Sequence, residues 1–227
     1  MSKKLAWQQI PSTIVSDILC LNGLSGVVLD TEHGCYNNET LYSCIQVITN
    51  NKKECFVRLG NTDDFMIRFC LDAGVTGLIF STVETLEQVE KIGKLCKYPK
   101  YFGKRGLGLV RQNKWGLKNL ISNPPILIAQ IETEAGAKNI EDLLGFDYYM
   151  IGPYDLSASV GTPGQFDGPR FLTAIERIKK FIPNNKMAVH IPTNVKNEIK
   201  KYRDYGIIAV GMDTTALVNS YREMENA

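Results

Sequence analysis

Apolar residues gather in short runs that recur along the whole chain, and polar or charged residues stand at the ends of those runs. Eight runs can be marked: 5–10 (LAWQQI), 26–30 (GVVLD), 55–59 (CFVRL), 77–81 (GLIFS), 126–131 (ILIAQI), 148–152 (YYMIG), 187–191 (MAVHI) and 207–211 (IIAVG). Runs of this length without alternation read as strands buried on both faces. Helical periodicity fills the gaps. It runs from Ser12 or Thr13 to Leu21, from Asn38 through Ile48, onward from Thr62 or Asp63, and over 82–95, 133–144, 168–181, 193–205 and 214–223. Ser, Thr, Asn and Asp at these openings suit helix N-caps.

Strand followed by helix, eight times over, implies parallel strands joined by right-handed crossovers. The expected fold is therefore α/β: a (β/α)8 TIM barrel, one domain over residues 1–227. A doubly wound open sheet is the alternative. It is disfavoured because no G-x-G-x-x-G follows the first strand and no G-x-x-x-x-G-K-[ST] occurs. Two loops, 97–125 and 153–168, are long for the pattern and are expected to be functional.

The polar residues carry the candidate chemistry. Asp30 closes the second run and is followed by Thr31, Glu32 and His33; Arg58 lies near the end of the third. Glu132 follows the fifth run, Asp155 the sixth; His190 lies in the seventh and Asp213 follows the eighth. A barrel builds its active site from the carboxyl ends of its strands. Glu132 and Asp155 would then be neighbours, able to share a hard divalent cation or, alternatively, to cap a helix and a turn. Arg58 would hold a carboxylate or a developing oxyanion, or pair structurally with Asp30 or Glu32. His33 is suited to moving a proton to or from an alcohol oxygen, with a structural role the alternative; His190, inside its strand, reads as structural. Lys52, Lys53 and Lys186 precede their strands, and no lysine stands at a strand's carboxyl end. Schiff-base chemistry therefore lacks its nucleophile, and carbonyl chemistry would depend on a metal.

Composition narrows the classes. The 227 residues suit a barrel, and 44% apolar with 22% charged residues is ordinary for a globular chain. A formal charge of +2 gives no footprint for nucleic acid or a membrane surface, and Lys179-Lys180 and Lys200-Lys201 read as solvated helix faces. The six cysteines lie in the first hundred residues without a C-x-x-C, as buried thiols in a reducing compartment would. Cys35, two residues past His33, is the one placed for a nucleophilic role. The N-terminus lacks a signal-peptide core and no run approaches a membrane span, so a cytoplasmic location is expected.

Taken in order, AWQQIPS, VVLDTEHG, FVRL, LDAGVTGLIF, GKRGLG, IAQIETEAGAKNIEDLL, DYYMIGPYDLSASVG and GIIAVGMDTTAL resemble the HpcH/HpaI-type aldolases, metal-dependent class II pyruvate aldolases related to citrate lyase beta subunits. The resemblance covers nearly the whole chain. It implies a TIM barrel that binds Mg2+, Mn2+ or Co2+ through Glu132 and Asp155. That ion would chelate pyruvate and stabilise its enolate. The resemblance also implies that Arg58 holds the enolate oxygen and that His33 protonates the aldehyde oxygen in condensation or deprotonates the 4-hydroxyl in cleavage. Asp72 would orient His33, within the chain or across a subunit boundary. Trp7 would wall the pocket, and amides near Gly152, Pro153 and the following turn would contact the substrate carboxylate. The family implies a homo-oligomer, commonly a hexamer with an exchanged C-terminal helix. The implied reaction is reversible cleavage of a 4-hydroxy-2-oxo acid into pyruvate and an aldehyde. An acyl-CoA lyase of the same superfamily and a catalytically idle keto-acid-binding barrel are the alternatives. Leu59 and Ser81 stand where the family usually has proline, which bears on aldehyde specificity more than on reaction type.

Overall fold

Eight parallel strands close into a barrel in a computed structural model that describes residues 2–121 and 123–226. Met1, Ser122 in the loop 97–125, and Ala227 lie outside the described residues. The strands are β1 (Lys3–Gln8), β2 (Gly26–Asp30), β3 (Glu54–Leu59), β4 (Gly77–Phe80), β5 (Ile126–Ile131), β6 (Tyr148–Ile151), β7 (Met187–Ile191) and β8 (Ile207–Val210). Each pairs with its sequence neighbours, and β8 returns to β1 with Lys3 opposite Ile207. Closure leaves no sheet edge, which settles the choice against the open sheet.

Around the barrel lie α1 (Thr13–Cys20), α2 (Asn38–Asn50), α3 (Asp64–Ala73), α4 (Leu86–Cys96), α5 (Glu134–Lys138), α6 (Pro153–Ser159), α7 (Pro169–Phe181), α8 (Val195–Glu198) and α9 (Asp213–Glu225). Asn37, one residue before the expected cap, accepts from the Thr40 amide to start α2, and Asp63 accepts from Met66 to start α3. Helix α4 begins at Leu86, later than 82, because Thr85 and Gln88 form a capping box. The expected helix over 133–144 stops at Lys138: the Asn139 side chain turns to donate to the Glu84 carbonyl, and Ile140 and Leu143 are buried from turns. The loop 153–168 instead contains α6, with Pro153 at its first position. Residues 193–205 make only short α8 and a 3-10 turn over Ile199–Tyr202, after Asn194 adopts a left-handed φ of 51°.

The core has two layers. Val27, Leu29, Val57, Leu78, Ala129 and Val189 point outward to meet the helices. Leu5, Trp7, Val28, Phe56, Ile79, Ile128, Met150, Ala188 and Ala209 point inward and fill the barrel. Strand side chains alternate with period two, so continuing the inward set by two residues brings Asp30, Arg58, Gln130 and His190 to the carboxyl-end mouth. A second step along β5 brings Glu132. Among the described residues no helix is long and apolar enough to cross a membrane.

Candidate active site

At that mouth a cavity of about 440 Å³ is lined by residues that include Trp7, Asp30, His33, Arg58, Gln130, Gly152, Asp155 and His190. Asp30 and Arg58 are register partners on β2 and β3, so their side chains meet by construction. Arg58 grips Asp30 with two parallel bonds, Nε to Oδ1 at 2.9 Å and Nη2 to Oδ2 at 2.6 Å, while Nη1 lies 3.0 Å from Glu32 Oε2. Both structural pairings considered for Arg58 therefore form, and Arg58 still lines the cavity.

Asp30 is fully buried. It also accepts from the Trp7 indole at 3.1 Å, the Gln9 side chain at 3.3 Å and the amides of Glu32 and His33 at 3.2 and 3.3 Å. Burial alone would push its carboxyl up, but the Arg58 bonds and charge, aided by Trp7 and His33, hold it below the ordinary range. Trp7 stacks on His190 with centroids 4.0 Å apart, and Arg58 lies over the indole at 5.0 Å. His190 donates through Nε2 to the Gly211 carbonyl at 2.9 Å. Its burial, with the nearby Arg58 charge, drives its pKa down to about 4, so it is a neutral wall of the cavity.

Glu132 is 4% exposed and backs onto the cavity through Gln130 and Gly152. One carboxylate oxygen, Oε1, accepts from the Thr82 amide at 2.7 Å and the Thr82 hydroxyl at 2.8 Å; the other accepts from the Gln130 amide. Burial raises its pKa against these bonds, and the negative charges of Glu32 and Asp155 add to the rise. Asp155, in the first turn of α6, is exposed and makes no hydrogen bond or ion pair among the described residues. Gly152 is required beside Glu132: a Cβ there would stand 2.7 Å from both Glu132 Cβ and Glu132 Oε2.

This donor set fits a hard divalent cation. A carboxylate lifted by burial and further by its acidic neighbours, with an unpaired carboxylate nearby, is what a cation would relieve. Gln130 adds a buried Oε1 with no protein partner. Among the described residues no cluster of three or more acidic, cysteine or histidine side chains is set to hold an ion. The pair would leave most coordination positions to water and substrate, as suits Mg2+.

The other expected residues fall as follows. His33 is exposed at the cavity, and its imidazole makes no hydrogen bond among the described residues. Asp72 lies elsewhere, on α3, paired with Arg105 at 2.8 Å beside a second cavity lined by Phe65, Phe69 and Trp115. Gly152 and Pro153 line the cavity, but the Gly152 amide donates to Ile131 and Pro153 has no amide hydrogen. The open first-turn amides of α6 are those of Tyr154 and Asp155. Asp213 is structural: it accepts from the amides of Gln9 and Ile10, both at 2.9 Å, and ties α9 to the loop after β1. Cys35 is exposed but does not line the cavity. Sequence reasoning missed Gln130 and Thr82, and it named Ser81 only as a departure from proline, without its hydroxyl donating to Glu32 at 2.5 Å. A glutamine inside an apolar strand, two residues before Glu132, was the available signal for Gln130.

Comparison with known proteins follows the same lines. The family model described as HpcH/HpaI aldolase/citrate lyase matches residues 6–220. A "Hydroxypyruvate/pyruvate aldolase" of Roseobacter denitrificans is 28% identical, over 94% of this chain and 88% of its own length. A "4-hydroxy-2-oxo-heptane-1,7-dioate aldolase" of Shigella flexneri is 29% identical, over 94% and 84%. The crystal structure of an HpcH/HpaI aldolase/citrate lyase family protein from Burkholderia cenocepacia superposes with a TM-score of 0.90 at 22% identity, over 99% of this chain and 93% of that one.

Proposed function

Since the chain belongs to the HpcH/HpaI aldolase/citrate lyase family and is a carbon–carbon lyase of the aldolase kind, we propose that it is a divalent-metal-dependent pyruvate aldolase, reversibly cleaving a 4-hydroxy-2-oxo acid into pyruvate and an aldehyde. The observation that supports this reading is that Asp155, a clamped Arg58 and an unpaired His33 line one cavity at the barrel mouth, with Glu132 backing onto it behind Gln130 and Gly152.

Glu132 and Asp155 would hold the cation, Mg2+, Mn2+ or Co2+. When bound, it supplies the Lewis acidity an oxo acid needs to carry negative charge on its oxygens. Arg58 is fixed by Asp30 and Glu32 yet keeps one N–H free on each terminal nitrogen. Those donors serve the substrate's 2-oxo oxygen as it becomes anionic, and their fixed position removes the cost of reorganising them. His33 takes the proton from the 4-hydroxyl in cleavage and returns it to the aldehyde oxygen in condensation. The Trp7–His190 stack walls the barrel side of the cavity. The amides of Tyr154 and Asp155 would receive the substrate carboxylate.

The proposal includes a cytoplasmic homo-oligomer, with a hexamer implied by the family resemblance. Two features support assembly. Asp72 is tied to Arg105 away from His33 of its own chain, so it would orient a histidine only in a neighbouring copy. Helix α9 buries none of its residues and exposes Leu217, Val218, Tyr221 and Met224.

The test is release of pyruvate from 4-hydroxy-2-oxo acids, followed through lactate dehydrogenase. Activity should require Mg2+, Mn2+ or Co2+ and vanish with chelator. Trapping of a covalent adduct by borohydride would refute the mechanism.

A further inference from the structure

We propose that Arg105 is a positioning residue for catalysis: it fixes the Asp72 carboxylate so that the free oxygen accepts the N–H of His33 in a neighbouring copy of the chain. The inference rests on the aldolase reading and the assembly proposed with it, and adds a residue to which neither gives a role. Asp72 lies in the last turn of α3. A carboxylate there faces the negative end of the helix dipole, where a cation would suit the fold better. Arg105 holds it against that field. Its Nη2 donates to Asp72 Oδ1 at 2.8 Å and to Gln112 Oε1 at 2.7 Å, and the guanidinium lies over the Tyr98 ring at 4.7 Å. The Tyr98 hydroxyl donates to the same Gln112 oxygen at 3.3 Å. Behind it the loop is pressed onto the end of α4: the Arg105 amide donates to the Lys97 carbonyl at 2.9 Å, and a Cβ at Gly103 would stand 1.8 Å from that oxygen.

As a purely structural contact the arrangement is unfavourable. The Arg105 side chain is 1% exposed, yet its Nε and Nη1 have no hydrogen-bond partner. A buried cation with two idle donors costs stability that an apolar side chain of like volume would not. What it delivers is at Asp72, whose side chain is 29% exposed and whose Oδ2 accepts no bond among the described residues. Asp72 opens onto the second cavity, whose lining includes the exposed Phe65, Leu109 and Trp115. Those side chains shield a docked group from water, which strengthens its bond to the carboxylate. His33 presents the complementary group, an exposed imidazole without a partner. In its own chain Asp72 stands beside the second cavity and not at the active-site cavity, so the pairing needs a second copy. With one imidazole nitrogen donating to a fixed Oδ2, the other is left to take the proton of the 4-hydroxyl.

The experiment measures Arg105→Met and Arg105→Lys against wild type in the presence of Mn2+. Cleavage of 4-hydroxy-2-oxopentanoate and exchange of pyruvate methyl protons with deuterated solvent are followed side by side. Methionine fills the space without leaving a buried charge, because Asp72 stays open to water, so the variant should unfold at the wild-type temperature or above it. Its kcat for cleavage should fall about ten-fold or more, the scale of a misplaced catalytic group, with KM and exchange unchanged. Arg105→Lys should recover part of that loss. Adding Arg105→Met to Asp72→Asn should lower cleavage no further, since the two act as one unit. Mixed assemblies of Arg105→Met and His33→Ala chains should exceed the mean activity of the two parents, because some sites then join an intact His33 to an intact Arg105. Wild-type cleavage in Arg105→Met, an equal loss of cleavage and exchange, or no gain on mixing would overturn the inference. Absence of both reactions from the wild type would count instead against the aldolase reading itself.

Discussion

Thr82 deserves a direct test because it holds Glu132 at a cost to the backbone. It is a β-branched residue at φ 51°, in the left-handed region, where such residues carry strain on the order of 1–3 kcal/mol. The strain places both its amide and its hydroxyl on Glu132 Oε1, at 2.7 and 2.8 Å. Thr82→Val keeps the shape and the amide bond and removes only the hydroxyl. A hydrogen bond to a charged group contributes about 1.5–3 kcal/mol, and loss of a partner that orients a metal ligand typically costs about 10- to 100-fold in metal affinity. Calorimetric titration with Mn2+ should therefore show Thr82→Val weakened by one to two orders of magnitude, and Thr82→Ser close to wild type. Thr82→Gly separates binding from folding. Glycine adopts the left-handed conformation freely, so relief of strain offsets its greater unfolded-state entropy and thermal stability should change little. Its Mn2+ affinity should nevertheless fall as for Thr82→Val. Wild-type affinity in both variants would show that the hydroxyl does not position Glu132 for an ion.

Four further outcomes are expected. Gly152→Ala should lose both metal affinity and turnover while the barrel stays folded, because its Cβ would press on Glu132 at 2.7 Å; full activity would contradict the close approach. Asp30→Asn leaves Arg58 buried with half its compensation and should destabilise by about 3–5 kcal/mol in denaturant unfolding, as when one partner of a buried pair is removed; a change within error would refute the clamp. His190 titrates near 4 when folded and near 6.5 when unfolded, so protons bind the unfolded chain first and stability should fall as pH drops from about 6.5 to about 4, by roughly 3 kcal/mol in all. His190→Phe keeps the stack on Trp7 and should remove that part of the slope; an unchanged slope would place its origin elsewhere. Metal binding should strengthen as pH rises through a range above the ordinary carboxylate value, because Glu132 must release its proton first; affinity flat across that range would argue that Glu132 is not a ligand.

Much of this was legible in the chain because the fold and the site obey one rule. Inward positions at Val28, Phe56, Ile128 and Ala188 continue two residues on to Asp30, Arg58, Gln130 and His190, so the pattern that builds the barrel also delivers its polar mouth. The short helices were less legible. The apolar spacing over 133–144 is satisfied by turns after Lys138, and α6 is set by Gly152 and Pro153, not by periodicity. Thr82 was hidden for another reason. Its role comes from a left-handed backbone and a partner fifty residues away, neither of which leaves a trace in local sequence. The separation of Asp72 from His33 depends on how Arg105 folds back onto α3, which spacing does not encode.

The sharpest test is a crystal structure grown with Mn2+ and pyruvate, read through the anomalous signal of the metal. The density should fall between Glu132 and Asp155, with a carboxylate oxygen of each at about 2.1 Å and pyruvate completing the shell beside Arg58. Density bound to one carboxylate alone, or a site elsewhere at saturating Mn2+, would contradict the shared-ion centre on which the aldolase mechanism is built.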